Sequence, residues 1–374
     1  MSDGANDLHA AGPEVAIQLL TPQGERVEHP DHAFAGDDAQ VRELYADMAL
    51  VRRVDAEAIA LQRQGELGLW PSLLGQEAAQ IGAAHAMRTQ DYAFPTYREH
   101  GITISRGVDP LRLLAMFRGT DPGSWDTVAA GVHLYSIIIG TQGLQATGYG
   151  MGLERDGLVG SGDPERDAAV ICFFGDGATS QGDMSEALVF AASFNAPVVF
   201  FCQNNQWAIS EPIERQSRTP LYRRAAGFGL PGIRVDGNDV LAVQAVTTAA
   251  MDRARSGNGP TFIEAYTYRM GAHTTSDDPT KYRLEHELEQ WRGRDPLSRV
   301  RAYLEARGAA DEAFFAGVDA EADALAVRLR RECLALEEPR LADTFDWVYA
   351  TKSPELVEQL ARHLEYTASF EEAR

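Results

Sequence analysis

The sequence predicts an α/β domain built on a parallel sheet, with helices covering both faces. Short apolar runs such as ICFF and VVFF alternate with longer segments of helical periodicity. Strands without polar residues at alternate positions are typical of sheets that are buried on both faces. Strand–helix–strand repeats imply right-handed crossovers, which place the strands parallel to one another.

The elements follow from apolar spacing and from the turn residues between them. We expect a loop over 119–135 and a charged helical region after residue 282. The expected helices are 37–64, 75–87, 183–194 and 239–255, and the expected strands are 169–174, 198–202, 232–237 and 261–269. The domain prediction is an N-terminal arm over 1–36, the α/β domain over 37–305, and a helical C-terminal segment over 306–374 that packs on the same domain.

The composition argues against several classes of protein. The formal charge of −21 is unsuited to nucleic-acid binding, which needs clustered Lys and Arg. No stretch approaches the ~20 apolar residues that a membrane-spanning helix needs, and the N-terminus lacks signal-like features. Three scattered cysteines, Cys172, Cys202 and Cys333, do not suggest a disulfide framework or a zinc site, which favours a cytoplasmic location.

Polar side chains stand where two neighbouring strands end. Asp176 lies between two glycines after the run ending at Phe174, and Asn204 and Asn205 follow the next strand. Ligands of open parallel sheets bind beyond the carboxyl ends of the strands. Oxygen ligands of this kind suit Mg²⁺ or Ca²⁺, and flanking glycines let a bulky anion approach the backbone. Either motif alone is more often a simple turn or cap, but the pair in this order predicts a metal–polyanion site.

The pair GDGATSQGD and QNNQWAIS resembles the thiamin diphosphate motif. The wider sequence is similar to the alpha subunit of the heterotetrameric decarboxylating first component of 2-oxo acid dehydrogenase complexes, of pyruvate or branched-chain type. The stretches LQRQGELGLW, GQEAAQIGAA, FPTYREHG and YRMGAHTTSDDPTKYR carry this resemblance over about residues 40–305. It implies that residues 37–305 form a thiamin diphosphate-binding domain.

The resemblance also implies roles for individual residues. Asp176, Asn205 and the carbonyl of Trp207 would hold Mg²⁺, and Ile139 would support the bent cofactor. Gln203 stands where some relatives have a basic or acidic residue, and its amide can donate to phosphate. The residues implied to bind the cofactor are Tyr97, Arg98, Ile137, Ile139, Gly175, Asp176, Gly177, Ala178, Gln203, Asn205, Arg269 and His273.

His273, in the loop GAHTTSDD, matches the family's acid–base residue, for which a pKa near neutrality would be useful. We expect Arg269 and Asp277 to pair and to order this loop. Ser136, Thr141 and Gln142 match the monovalent-cation site of some relatives, which could hold K⁺. Thr274 stands where animal relatives have a phosphorylated serine, so that regulation is not carried over.

The implied reaction is oxidative decarboxylation of a 2-oxo acid and transfer of the acyl group to the lipoyl arm of an acyltransferase. In this family the glutamate that activates the cofactor belongs to the beta subunit, so an alpha2–beta2 assembly is implied and the alpha chain alone should be inactive. The sequence favours pyruvate, with branched-chain 2-oxo acids such as 3-methyl-2-oxobutanoate as the alternative and acetoin as a distant one.

Two other classes of function remain open at this point. A noncatalytic paralogue could bind the cofactor without turnover, although the intact Arg98, Asp176, Asn205 and His273 count against it. A nucleotide-binding protein is the other class. The chain has neither a GxxxxGK[ST] loop nor a GxGxxG loop that opens a helix, which counts against this class.

Overall fold

The computed structural model describes residues 16–121, 125–346 and 348–371. The strands are β1 Tyr92–Phe94, β2 Val170–Gly175, β3 Val198–Asn204, β4 Trp207–Ala208, β5 Glu211–Pro212, β6 Gly232–Asp236 and β7 Thr261–Tyr266. Five of them form a parallel sheet in the order β1-β2-β3-β7-β6, while β4 and β5 form a small antiparallel ribbon. This arrangement confirms the predicted α/β fold.

Helices flank the sheet and continue to the end of the described chain. They are α1 Asp38–Arg63, α2 Glu77–His85, α3 His100–Ser105, α4 Pro110–Arg118, α5 Thr127–Ala130, α6 Thr141–Arg155, α7 Gly182–Ser193, α8 Ile213–Gln216, α9 Leu221–Gly227, α10 Val240–Arg255, α11 Glu285–Arg292, α12 Pro296–Ala306, α13 Glu312–Leu334, α14 Leu341–Asp346 and α15 Pro354–Glu371. Single 3₁₀ turns cover Asp176–Ser180 and Pro279–Lys281. Among the described residues, none of the helices has the length and apolar character that a bilayer crossing requires.

The sheet is buried on both faces, which explains its unbroken apolar strands. Along β2, Ile171 and Phe173 point to the side of α1, α2 and α10, whereas Val170, Cys172 and Phe174 point to the side of α6, α7 and α9. Burying an aromatic or branched side chain contributes about 1.5–3 kcal/mol. Both faces of the strand therefore stabilise the same layered core.

Two elements near the candidate active site, β1 and α6, are not predicted by the sequence pattern. Strand β1 has only three residues, too few to show a period. Helix α6 contains several glycines, which have poor helix propensity and hide its periodicity. One of them, Gly150, is required by close packing, because an added Cβ would lie 2.9 Å from Val198 Cγ2. The expected loop 119–135 also contains α5, and its residues 122–124 lie outside the described part.

The described part of the N-terminal segment, residues 16–36, lies against the α/β domain; residues 1–15 lie outside the described residues. Asp239 Oδ2 accepts hydrogen bonds from the backbone amides of Leu19 and Leu20, at 2.7 and 2.6 Å. Its Oδ1 caps α10 by accepting from Leu241 and Ala242, both at 3.1 Å. One buried carboxylate thus joins this segment to the start of a core helix.

Replacing Asp239 by alanine is expected to lower the free energy of unfolding by roughly 3 kcal/mol or more, because four backbone N–H groups lose their acceptor inside the protein. Asp37→Ala is the matched control, since Asp37 caps α1 at the surface and its loss should cost only about 1 kcal/mol. Urea unfolding of both variants measures the difference. Equal losses would contradict the proposed anchoring role of Asp239.

Candidate active site

A cavity of about 460 Å³ opens at the carboxyl edge of the sheet, beyond the ends of β2 and β3. Gly175 and Gln203 are paired in register there. The cavity is lined by ten of the predicted site residues: Tyr97, Arg98, Ile137, Ile139, Gly175, Gly177, Ala178, Gln203, Asn205 and His273. The other three predicted site residues are Asp176, Trp207 and Arg269, which lie behind the residues that line the cavity.

Asp176 begins the 3₁₀ turn after β2 and is almost completely buried. Its Oδ2 accepts a hydrogen bond of 2.8 Å from Gln216 Nε2. Burial raises the pKa of Asp176 to about 6, against the opposing effect of that hydrogen bond. A buried carboxylate with this raised pKa is suited to receiving a cation.

The two glycines beside Asp176 both line the cavity but differ in their surroundings. A Cβ at Gly175 would meet no atom within 4 Å, so this position opens onto the cavity. A Cβ at Gly177 would lie 2.8 Å from the Cβ of Ala208. Gly177 is therefore required by the close approach of the β4–β5 ribbon.

Asn205 follows β3 with its amide held at both ends. Its Nδ2 donates to Gln76 Oε1 at 3.2 Å, and its Oδ1 accepts from the backbone N–H of Trp207 at 3.2 Å. The carbonyl of Trp207 accepts from Arg269 Nη1 at 3.1 Å. Each of the two oxygens keeps a second lone pair, so the existing contacts leave room for a metal bond.

Two guanidinium groups meet at His273. Arg98 Nη2 lies 3.1 Å from His273 Nδ1 and donates to the His273 carbonyl at 2.9 Å, while Nη1 donates to the carbonyl of Ser72 at 2.6 Å. Arg269 Nη1 lies 3.4 Å from the same ring nitrogen. Because a guanidinium only donates, Nδ1 must be the acceptor and the ring proton sits on Nε2.

The expected direct pair between Arg269 and Asp277 does not form. Arg269 Nη2 donates instead to the hydroxyl of Tyr282 at 2.8 Å, and that hydroxyl donates to Asp277 Oδ2. The same carboxylate oxygen accepts from the backbone N–H of His273 at 2.8 Å. Tyr282 thus bridges the two charges and fixes the loop.

Comparisons with known proteins decide the family of the chain. The family described as "Dehydrogenase E1 component" matches residues 45–327. The chain belongs to the dehydrogenase E1 component family. This confirms the family predicted from the sequence.

The relatives of this E1 chain include the alpha subunits of two kinds of 2-oxo acid dehydrogenase. The 3-methyl-2-oxobutanoate dehydrogenase subunit alpha of Mycobacterium tuberculosis is 44% identical over 348 residues, 92% of each chain. The pyruvate dehydrogenase E1 component subunit alpha of Acholeplasma laidlawii is 39% identical over 330 residues, 86% of this chain and 92% of the relative. That of Bacillus subtilis is 39% identical over 294 residues, 78% of this chain and 77% of the relative.

The E1 chain has a buried carboxyl group in the cavity wall that the sequence analysis missed. Glu99 accepts hydrogen bonds from the backbone N–H and the hydroxyl of Thr96, and from Gln203 Nε2. Burial raises the pKa of Glu99 above its ordinary value. In the sequence, the position of Glu99 directly after Tyr97 and Arg98 could have indicated that it belongs to the site. Glu99 accepts one of the two N–H groups of Gln203 Nε2, which leaves the second for the predicted donation to phosphate.

Three buried glutamines that line the cavity have side-chain polar atoms with no partner among the residues that the structure describes. They are Gln76 through Nε2, Gln142 through Oε1, and Gln203 through Oε1. Buried polar groups normally have hydrogen-bond partners, so exceptions of this kind need an explanation. The cavity therefore suits a ligand that offers both hydrogen-bond donors and acceptors.

The environment of His273 corrects the expectation of a pKa near neutrality. Burial, Arg98 and Arg269 together lower the pKa of His273 to about 3. We predict that, without ligand, its ring ¹⁵N resonances stay constant from pH 8 to pH 5, as expected of a neutral imidazole. The same residue in the urea-unfolded chain is expected to titrate near pH 6.5. A midpoint between pH 6 and 7 in the folded protein would contradict the assignment.

Proposed function

We propose that this E1 chain is the alpha subunit of the decarboxylating component of a 2-oxo acid dehydrogenase complex, with thiamin diphosphate and Mg²⁺ at the cavity. The observation that carries the proposal is the placement of oxygen ligands and guanidinium groups around one cavity. Asn205 and Arg98 line the cavity, and the buried Asp176 stands between Gly175 and Gly177, which also line it. Mg²⁺ typically combines few protein oxygens with phosphate oxygens and water.

The proposed metal ligands are Asp176, Asn205 and the carbonyl of Trp207. The diphosphate would be held by Arg98, through charge-assisted hydrogen bonds, and by the hydroxyl of Tyr97. The remaining proposed cofactor contacts are Ile137, Ile139, Gly175, Gly177, Ala178, Gln203, Arg269 and His273. The unpartnered atoms of the cavity glutamines support this fit, because a polar cofactor would satisfy them.

Thiamin diphosphate supplies the nucleophilic carbon on which 2-oxo acids are decarboxylated. The chain's own contribution is to bind, orient and move protons. Because Arg98 and Arg269 direct their N–H groups at Nδ1, His273 presents Nε2–H as a hydrogen-bond donor. A bound diphosphate would oppose the effect of the two guanidinium groups and raise the pKa of His273, which would favour proton exchange.

A monovalent cation is proposed beside the cavity, with K⁺ as the candidate. Gln142 is buried, its Nε2 donates to the carbonyl of Ser136 at 3.3 Å, and its Oε1 has no partner within 16–121, 125–346 and 348–371. The carbonyl of Ser136, Gln142 Oε1 and the hydroxyl of Thr141 are oxygen donors of the kind such a cation takes. Replacing K⁺ by a larger organic cation in the buffer tests this site.

A beta subunit is proposed to cover the mouth of the cavity. Ile137 lines the cavity, and Ile137 and Ile138 are 67% and 72% exposed. Tyr149 of α6 and Phe190 of α7 are also exposed. Large apolar side chains exposed to solvent in this way are typical of protein–protein contacts. A beta subunit on this face would close the cavity and supply the missing glutamate. The lipoyl-bearing acyltransferase is the proposed acceptor of the acyl group.

The proposed substrate is a 2-oxo acid with an aliphatic chain, because Leu69, Phe117 and Ile139 give the cavity an apolar side. The sequence favours pyruvate, as do the names of the relatives at 39% identity. The relative at 44% identity, aligned over 92% of the chain, favours 3-methyl-2-oxobutanoate. One methylene changes discrimination by only ~1–3 kcal/mol, so both acids are candidates.

The test is turnover by this chain purified with its beta subunit, supplied with thiamin diphosphate, Mg²⁺ and a lipoyl domain. We expect acylation of the lipoyl domain with pyruvate or 3-methyl-2-oxobutanoate, and none with the alpha chain alone. The ratio of kcat/KM values identifies the preferred acid. Cofactor binding without turnover of either acid would instead favour a noncatalytic paralogue.

A further inference from the structure

Gln76 is completely buried, yet only half of its amide is paired within the described part of the chain. Its Oε1 accepts from Asn205 Nδ2 at 3.2 Å, whereas its Nε2 has no acceptor among the described residues. The side chain lines the cavity. Because leaving a buried N–H unpaired is unfavourable, this donor is suited to an acceptor that binds in the cavity.

The backbone around Gln76 is fixed, so the position of its side chain is not accidental. Gly75 has φ +94°, and a Cβ there would lie 2.5 Å from the carbonyl oxygen of Tyr268. The Gly75 amide donates to Glu77 Oε2 at 3.0 Å, and its carbonyl accepts from Thr267 Oγ1 at 2.8 Å. Gln76 then occupies the N-cap position of α2, where its backbone carbonyl accepts from the Gln80 N–H and its side chain makes no capping bond to the helix.

The amides of Gln76 and Asn205 determine each other's orientation. Asn205 can serve a cation only if its oxygen, not its NH₂ group, faces the metal. Gln76 Oε1 holds the NH₂ end of Asn205, while the backbone N–H of Trp207 holds the oxygen end. With its own oxygen used in this way, Gln76 has Nε2 left to donate into the cavity.

We propose that Gln76 is a further binding residue of this site and acts at two points. Its Oε1 keeps the Asn205 oxygen available to the metal, and its Nε2 donates to an anionic oxygen of the bound diphosphate. This inference rests on the proposed function and deepens it. These two roles explain why the buried Gln76 lies beside the proposed metal ligand Asn205. They also explain why Nε2 of Gln76 is unpaired among the described residues.

The test compares Gln76→Met and Gln76→Glu in the assembly of this chain with its beta subunit. Calorimetry gives the Kd for thiamin diphosphate in the presence of Mg²⁺. Methionine has a similar length but no polar amide, so we expect a Kd at least about tenfold higher. Glutamate keeps an acceptor for Asn205 but turns a carboxylate oxygen toward the diphosphate, so we also expect weaker binding.

Gln244→Glu is the matched control, since Gln244 also has an unpartnered buried Oε1 but lines a different cavity. Its Kd should equal that of the wild type, and melting temperatures without cofactor check folding. A wild-type Kd for thiamin diphosphate in Gln76→Met would show that Gln76 only fills space, which would overturn the proposal. Wild-type affinity in Gln76→Glu, which keeps the shape of glutamine, would overturn the donation to the ligand. Failure of the wild type itself to bind would instead refute the proposed function.

Discussion

Asp176→Ala is expected to raise the Kd for thiamin diphosphate by more than about a hundredfold in the presence of Mg²⁺. Loss of an outer partner of a metal ligand already costs about 10–100-fold, and Asp176 is the only carboxylate in the proposed ligand set. Asn205 and the Trp207 carbonyl would be left to hold the ion with neutral oxygens. Calorimetric titration of the alpha–beta assembly measures this effect.

The fold is not expected to suffer from the change at Asp176. Gln216 Nε2, which donates to Asp176, also donates to the carbonyl of Glu211 at 3.3 Å, so the alanine variant keeps an acceptor for this group and its melting temperature without cofactor should change little. Asp156→Ala is the control, because Asp156 is exposed after α6. Equal cofactor affinity in Asp176→Ala and the wild type would remove Asp176 from the metal site.

His273→Ala is expected to keep cofactor binding and to slow acyl transfer to the lipoyl domain by about a hundredfold or more, the usual range for a lost acid–base group. Binding persists because Arg98 keeps two of its contacts, to the carbonyls of residues 273 and 72. Kd values and single-turnover acylation rates of the assembly measure the two effects separately.

Ser276→Ala gives the control for the His273 variant, since Ser276 is exposed on the same loop. It should match the wild type in both measurements. A wild-type acylation rate in His273→Ala would show that His273 has no role in acyl transfer. Loss of cofactor binding in that variant would show that the ring, and not Arg98, carries the affinity.

The sheet could be predicted from the sequence because its strands are buried on both faces and leave an unbroken apolar signal. The same parallel arrangement predicts that the loops after β2 and β3 meet, which the register of Gly175 with Gln203 confirms. Helix α6 was not predicted because glycines interrupt its periodicity, and two of them, Gly143 and Gly150, are required by close packing against Met184 and Val198. That requirement depends on the tertiary structure and leaves no local period.

The environment of the site was less predictable than its residues, because it depends on contacts between distant segments. Arg98 lies 175 positions from His273, and this contact helps to lower the histidine's pKa. Gln76 lies 129 positions from Asn205, so no spacing in the sequence points to their bond. The stretch TYREHG contains Glu99, but nothing in the sequence indicates that its side chain is buried.

The proposed metal and cofactor site is best tested by a structure of the alpha–beta assembly with thiamin diphosphate and Mg²⁺. We expect the ion to lie about 2.1 Å from oxygens of Asp176, Asn205 and Trp207, with the diphosphate beside Arg98. Cofactor bound elsewhere, or an empty cavity at saturating cofactor and Mg²⁺, would contradict it.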